Sequence, residues 1–440
     1  MLQFIRSKTH PKNIFFINAK SLQDKIDLGA LLSHYSRVDK DAETLYKKEF
    51  LTTKHRGNKF YAKVFGHYGD DSISELVPHG FAVCLEGIPV LWSTYLLHYR
   101  TLSAIEKSTR YVKASSYYKP LKFKTNSEYN DKCKKQLDKH NIEYQKVLQN
   151  LSEKYDTNDI QKPAILRKIK TRALDESRHL LPLSIVTSLG IMANLRSWLN
   201  ILTKEKIRNT PSIYVEDLID PLIDLFKEKF PTIFSIDKLT YLQKSEDIIF
   251  ASKLEHESLY DVESLTMPKV NEIEDFEIVY THDTTVKYDY IPYVQQIDRI
   301  NKIKPIREYE MIDYTITIPK LDIATFRDIQ RHRYFTIIIN KWDSRYDEDC
   351  ECDLLSSPMS TAIDITIKGN LRQWTHAIEL RTQEQGHFSY RKIFQRCGEL
   401  IADRSSIDKE ILFPYADWRD DSELGLGRLK AESKKKEDKG

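Results

Sequence analysis

Glu106-Lys107-Ser108-Thr109-Arg110-Tyr111 sets an acceptor, a hydroxyl and a fixed cation on alternate residues. In an extended segment alternate side chains share a face, so Glu106, Ser108 and Arg110 are expected to point together. That trio suits a nucleotide, with Arg110 for a phosphate, Ser108 for phosphate or base, and Glu106 for a sugar or base edge. A salt-bridged surface strand accounts for the same residues. Arg331-His332-Arg333 ends a helix-like run from Phe326 to Gln330 and offers two guanidinium groups and an imidazole to a phosphate. Such a triplet equally complements the negative end of a helix macrodipole. Asn370, Trp374 and Arg381 are spaced to share one helical stripe, with Asn370 and Arg381 about 16 Å apart along the axis. Arg372 points elsewhere. With Trp374 as core and the polar residues as helix ends, this helix needs no ligand.

The elements that must hold these residues repeat. Asn194-Leu195-Arg196-Ser197-Trp198 and Asn370-Leu371-Arg372-Gln373-Trp374 are near copies, and Phe81 to Arg100 shares the rhythm of Tyr314 to Arg333. Each of the latter pair reads as an alternating strand, a turn, and a helix ending in a basic-aromatic triplet. The order is the same in both halves, so the chain is a duplication whose sites draw on residues of either copy.

The chain has 440 residues, 40% of them apolar, enough for two or three domains with real cores. A net charge of +3 excludes a polybasic nucleic-acid protein, while local basic clusters still suit a small anion. Five scattered cysteines form no disulfide framework, which points to a reducing cytoplasm. Cys350 and Cys352 lack partners at zinc-ligand spacing, so no metal site is expected; Cys84 and Cys397 read as core. No apolar run reaches membrane-spanning length.

Residues 19 to 51 read as helix, 120 to 176 as amphipathic helices, and Arg178 to Ile207 as a strongly apolar helical stretch. Thr210-Pro211 opens a helix to about Phe230. The expected domains are a first unit over 1–235, an acidic connection over 236–289, a second unit over 290–425, and a disordered lysine-rich tail over 426–440.

Together these strings resemble the flavin-dependent thymidylate synthases. The first half matches that family in Gly66-His67, then His98-Tyr99-Arg100 with Ser108-Thr109-Arg110-Tyr111 at the family spacing. Arg178-His179-Leu180-Leu181-Pro182 and Asn194-Leu195-Arg196-Ser197 follow. The second half matches in Arg331-His332-Arg333, Asn370-Leu371-Arg372 and Leu380-Arg381, followed by Gly386-His387-Phe388-Ser389-Tyr390-Arg391. The resemblance covers residues 25 to 235 and 290 to 405 and is strongest to the long, doubled branch. Neither half is complete. The first has His98-Tyr99-Arg100 for Arg-His-Arg and Glu205 at the Leu-Arg position. In the second, Lys341 stands where the serine belongs, and Ser344-Arg345-Tyr346 comes late.

The resemblance implies an α+β fold: two tandem copies of a thymidylate synthase-like unit, each an antiparallel sheet flanked by helices. It implies transfer of a one-carbon unit from methylenetetrahydrofolate to dUMP, with FAD as cofactor and NADPH as reductant. The nucleotide would be held by Glu106, Ser108, Arg110, Arg178 and Arg381, with Ser108 and Arg381 in catalytic roles. FAD would be gripped by Arg331, His332 and Arg333 with Asn370 and Arg372, or Asn194 and Arg196. Family sites lie at tetramer interfaces, so two doubled chains would mimic a tetramer as a homodimer. Two other readings fit the incomplete motifs: a flavoenzyme of the same scaffold with another nucleotide, and a degenerate protein that binds or assembles without turnover.

Overall fold

Phe15 and Ile17 face one side of a strand and Phe16 the other, yet all three are buried, so this strand is covered on both faces. The computed structural model describes residues 1–53, 56–63, 81–123, 126–153, 163–193, 195–206, 212–229, 277–282, 307–340, 348–384, 386–420 and 424. It divides into two units. Unit 1 comprises Met1–Tyr144, Leu180–Met267 and Asp343–Met359; unit 2 comprises Gln145–His179, Pro268–Trp342 and Ser360–Gly440.

In unit 1 the strands β1 (Gln3–Arg6), β2 (Ile14–Asn18), β3 (Phe81–Pro89), β4 (Ser103–Glu106) and β5 (Val186–Met192) form an antiparallel sheet in the order β1-β2-β3-β5-β4. Leu28, Leu31, Leu32 and Tyr35 of the Leu22–Tyr35 helix cover one face against Phe15, Ile17, Cys84 and Met192. On the other, Phe16 packs edge-on against Phe226 of the Asp220–Lys229 helix, with Trp198 beside it. Each fully buried large apolar side chain of this kind contributes about 1.5–3 kcal/mol. Gly190 in β5 admits the helix: a Cβ there would lie 2.7 Å from Leu32 Cδ2.

Unit 2 has β6 (Glu277–His282), β7 (Asp313–Asp322), β8 (Thr336–Asn340) and β9 (Ala362–Asn370), antiparallel in the order β6-β7-β9-β8. Here β7 alternates, burying Tyr314, Ile316 and Ile318, as a sheet with one covered face must.

The duplication is legible in three dimensions. The orders β2-β3-β5-β4 and β6-β7-β9-β8 are one topology. Each first long strand carries a bulge just before its helix, at Gly87 (φ +73°) and Lys320 (φ +51°), which are equivalent in the aligned segments. Val90 N donates to Ile185 O as Ile323 N donates to Thr361 O. The fold is α+β, two tandem copies of one antiparallel sheet flanked by helices.

Several expectations are corrected. Residues 19 to 51 form not one helix but the Leu22–Tyr35 helix, a short Ala42–Leu45 helix and a π-turn. The turn expected between strand and helix in the first copy, at Glu86-Gly87, is a bulge inside β3 rather than its end. The Arg178–Ile207 stretch is not helical throughout: it holds a 3₁₀ turn, the buried strand β5 and the Leu195–Glu205 helix. A short apolar run buried on both sides reads alike as strand or helix. The second sheet begins at Glu277, ahead of residue 290.

The units also take helices from opposite halves of the sequence. Pro163–Ser177 belongs to unit 2 and Glu348–Ser356 to unit 1, so the units do not coincide with continuous stretches such as 1–235 and 290–425. No helix among the described residues is long and apolar enough to cross a membrane.

Candidate functional site

The Ile323–Ile329 helix is capped by Asp322, whose carboxylate accepts from Thr325 N at 2.8 Å, and every one of its residues is buried. Two of them, Arg327 and Asp328, are charged. Arg178, in the 3₁₀ turn after the Pro163–Ser177 helix, donates Nη2 to Asp328 Oδ2 at 2.7 Å, with both side chains buried. Asp175 lies 3.7 Å from Arg178 Nε. Arg381 ends the Leu371–Arg381 helix and donates Nε to His332 Nε2 at 2.6 Å and Nη2 to the Asp328 carbonyl at 3.1 Å. Its guanidinium lies 5.2 Å from the centre of the Tyr390 ring. Asp328 thus joins Arg178 through its carboxylate to Arg381 through its main chain. An arginine from the first half of the sequence meets the histidine and arginine of the second.

The imidazoles here are neutral. Burial, then the Arg381 charge, holds His332 well below the ordinary histidine range. Because Nε2 accepts from Arg381, its proton sits on Nδ1. His387 caps the Phe388–Ser405 helix: Nδ1 accepts from Ser389 N at 3.2 Å, so Nε2 carries the proton donated to the Asp175 carbonyl at 3.2 Å. Burial, then the neighbouring Arg178, pushes His387 down to about 4. Arg178 is offset by the Asp328 and Asp175 carboxylates, whereas Arg381 bonds a neutral imidazole and a main-chain carbonyl, and its charge suits an anion or a polarised carbonyl. Arg331 is exposed and Arg333 half-buried at the end of the helix.

Other expected site residues lie elsewhere. Asn370 accepts from Gln373 N at 3.0 Å in a capping box. Arg372 pairs with Glu310. In unit 1, β4 stops at Glu106, and a turn follows in which Val112 N donates to Ser108 O at 3.0 Å. The common face expected for Glu106, Ser108 and Arg110 therefore does not form. Glu106 is buried and accepts from the Ser93 hydroxyl, while Ser108 Oγ accepts from Arg110 N at 3.2 Å. Ser108, Lys107, Lys113 and Ser116 line a cavity of about 90 Å³. Asn194, Gly66-His67, Lys341 and Ser344-Arg345-Tyr346 lie outside the described residues, as does the side chain of Arg196.

Unit 1 holds a counterpart. Tyr99 is equivalent to His332 and Glu205 to Arg381, and the contact survives with its polarity reversed, Tyr99 OH donating to Glu205 Oε1. Tyr95 takes the place of Asp328 and packs edge-on against Tyr214 at 5.2 Å. Carried back through Pro182 and Pro358, which bridge each other, the register makes Glu351 the equivalent of Asp175 and Leu354 that of Arg178. Glu351 accepts from Trp92 Nε1 at 2.8 Å, Ser212 Oγ at 3.0 Å and Tyr214 N at 3.2 Å. Burial pushes its carboxyl up to about 7. Where unit 2 has guanidinium groups and imidazoles, unit 1 has carboxylates, phenols and packed aromatic rings. Sequence reasoning missed Asp328, Asp175 and Glu351. Extending the alignment of the halves outward from its motifs would have paired Asp175 with Glu351, while nothing in the local pattern marks Asp328.

Comparison with known proteins follows this geometry. The family described as thymidylate synthase complementing protein matches residues 21–232. The UPF0159 protein of Thermoplasma acidophilum is 26% identical over 504 residues, covering 93% of this chain and 98% of that relative. A UMP/dUMP methylase from Streptomyces cacaoi, solved with 5-Br dUMP, is 14% identical with a TM-score of 0.27, covering 53% of this chain and 92% of its own. Thymidylate synthase X from Helicobacter pylori, solved with FAD and dUMP, is 16% identical with a TM-score of 0.21, covering 48% and 93%.

Proposed function

We propose, from the premise that the chain belongs through residues 21–232 to the thymidylate synthase complementing family, that it transfers a one-carbon unit from methylenetetrahydrofolate to dUMP, with FAD as cofactor and NADPH as reductant. The observation that carries this reading is the Arg178–Asp328–Arg381–His332 network, which joins arginines from both halves of the sequence.

We assign Arg381 to the charge that develops on a pyrimidine carbonyl oxygen, with His332 fixing one edge of its guanidinium so that little reorganisation is needed. Arg178, its charge offset by Asp328, is assigned to holding the segment whose carbonyl Arg381 also engages. Ser108 and Arg110 are assigned to the nucleotide phosphate, supported by the Ser-x-Arg-Tyr string and the hydroxyl- and lysine-lined cavity beside Ser108. Glu106, engaged by Ser93, is left with a supporting role. Arg331 and Arg333, cations within reach of solvent at a helix end, suit the pyrophosphate of FAD. Asn370 and Arg372, engaged in a cap and an ion pair, are set aside for that role. Reduced flavin, when bound, supplies the hydride. The four described cysteines are held as thiols: burial raises Cys84 and Cys133 and pushes Cys397 up to about 12 and Cys352 to about 11. Protein alkylation of the base is therefore not part of this reading. We further propose a cytoplasmic homodimer.

The purified protein should show a flavin spectrum that dUMP perturbs, and dUMP with methylenetetrahydrofolate and NADPH should yield dTMP. A colourless protein that FAD cannot reconstitute would defeat the proposal. Turnover of another pyrimidine nucleotide alone would move it to a different substrate on the same scaffold. The reversed Tyr99–Glu205 pair favours a non-catalytic reading for the unit 1 copy alone.

A further inference from the structure

Gln330 is 4% exposed, and neither Nε2 nor Oε1 of its side chain has a hydrogen-bond partner among the described residues. Its main chain is satisfied, N donating to Phe326 O at 2.9 Å as the helix closes, so the orphan is the side-chain amide alone. A buried amide that makes no bond carries the full penalty of leaving water. The chain contains its own control. The equivalent residue of the first copy is Leu97, also buried. The fold therefore accepts an apolar side chain at this position, and the copy that kept Arg331, His332 and Arg381 is the one that holds an amide there.

We propose that Gln330 is a ligand-reading residue whose amide engages a cyclic imide, donating from Nε2 to a ring carbonyl and accepting on Oε1 from the adjacent ring N–H. The argument rests on the nucleotide and flavin reading above. An amide presents one donor and one acceptor side by side, the complement of an imide edge. Uracil and the flavin ring both carry that edge. Adjacent in sequence to Arg331 and two residues beyond Asp328, Gln330 places this neutral reader next to the charged cluster.

The test replaces Gln330 with the side chain used by the other copy. Gln330→Leu and Gln330→Met are titrated with dUMP by calorimetry and, separately, with FAD by its absorbance, and their unfolding midpoints are measured. Removing an unsatisfied amide should raise the midpoint by about 2–4 °C, while affinity for one ligand falls about 10–100-fold. A fall confined to dUMP assigns the amide to the pyrimidine, and one confined to FAD assigns it to the flavin. Unchanged affinity for both ligands overturns the inference and leaves the nucleotide reading standing. So does a lower midpoint in both variants, which would make the amide structural. A wild-type protein that binds neither ligand overturns both.

Discussion

At Arg381 the guanidinium meets a neutral imidazole, and at the equivalent place in unit 1 a phenol meets a carboxylate. Both pairs satisfy their donors, so the swap changes charge without breaking the contact. Arg381→Ala leaves His332 Nε2 buried without its donor, at a cost of about 1–3 kcal/mol. The double variant His332→Tyr/Arg381→Glu, which installs the unit 1 pair, should recover most of that stability in denaturant unfolding yet bind no dUMP by calorimetry. Retained dUMP affinity would place the site elsewhere. Glu351 tests the electrostatics of the other copy. Because its carboxyl is raised from 4.5 to about 7, the folded protein holds a proton that the unfolded chain releases. Its contribution is therefore present below pH 4.5 and lost as pH rises through 7, on the order of 3 kcal/mol. Relative to wild type, Glu351→Gln should gain stability between pH 5 and pH 8. An equal difference at both values would refute the assignment.

Among elements, the bulged strands before the two helices use the same left-handed residue, glycine at 87 and lysine at 320. A non-glycine residue in that region costs about 1–2 kcal/mol. Lys320→Gly should therefore raise the unfolding free energy by up to about 1 kcal/mol, after the entropy that glycine adds to the unfolded chain. Gly87→Ala should lower it, through its φ and because a Cβ would meet Asn13 Nδ2 at 2.9 Å. Chemical denaturation of the two variants measures both signs, and equal shifts would mean that the bulges are not equivalent.

For the whole molecule, the exchange of helices between the halves predicts interdependence. Residues 1–270 expressed alone lack Glu351, leaving Trp92 Nε1, the Ser212 hydroxyl and Tyr214 N buried with no acceptor. That fragment should show no cooperative unfolding transition, and co-expression with residues 271–440 should restore one. A fragment that melts cooperatively alone would end the idea. The Arg381–His332 pair occurs in unit 2 and its Glu205–Tyr99 counterpart in unit 1, so calorimetry should count one dUMP per chain, and two would contradict the division of roles.

The sequence by itself determined the duplication, the strand-helix rhythm of each copy and the basic residues that survive in the second. These are local patterns: alternation, helical spacing and turn residues are set by neighbours a few positions away. It also supplied Arg178, His332 and Arg381, but as separate strings. Only the tertiary structure decided that Asp328 links them, because an aspartate in a short apolar helix has no visible partner until a distant arginine packs against it. Glu106, Ser108 and Arg110 failed to share a face for the converse reason. Alternation holds only while a strand continues, and β4 ends at Glu106 where the next turn begins. The same limit hid β5, whose burial on both faces erased the alternation that marks a strand, and hid the helix exchange, since long-range pairing leaves no local periodicity.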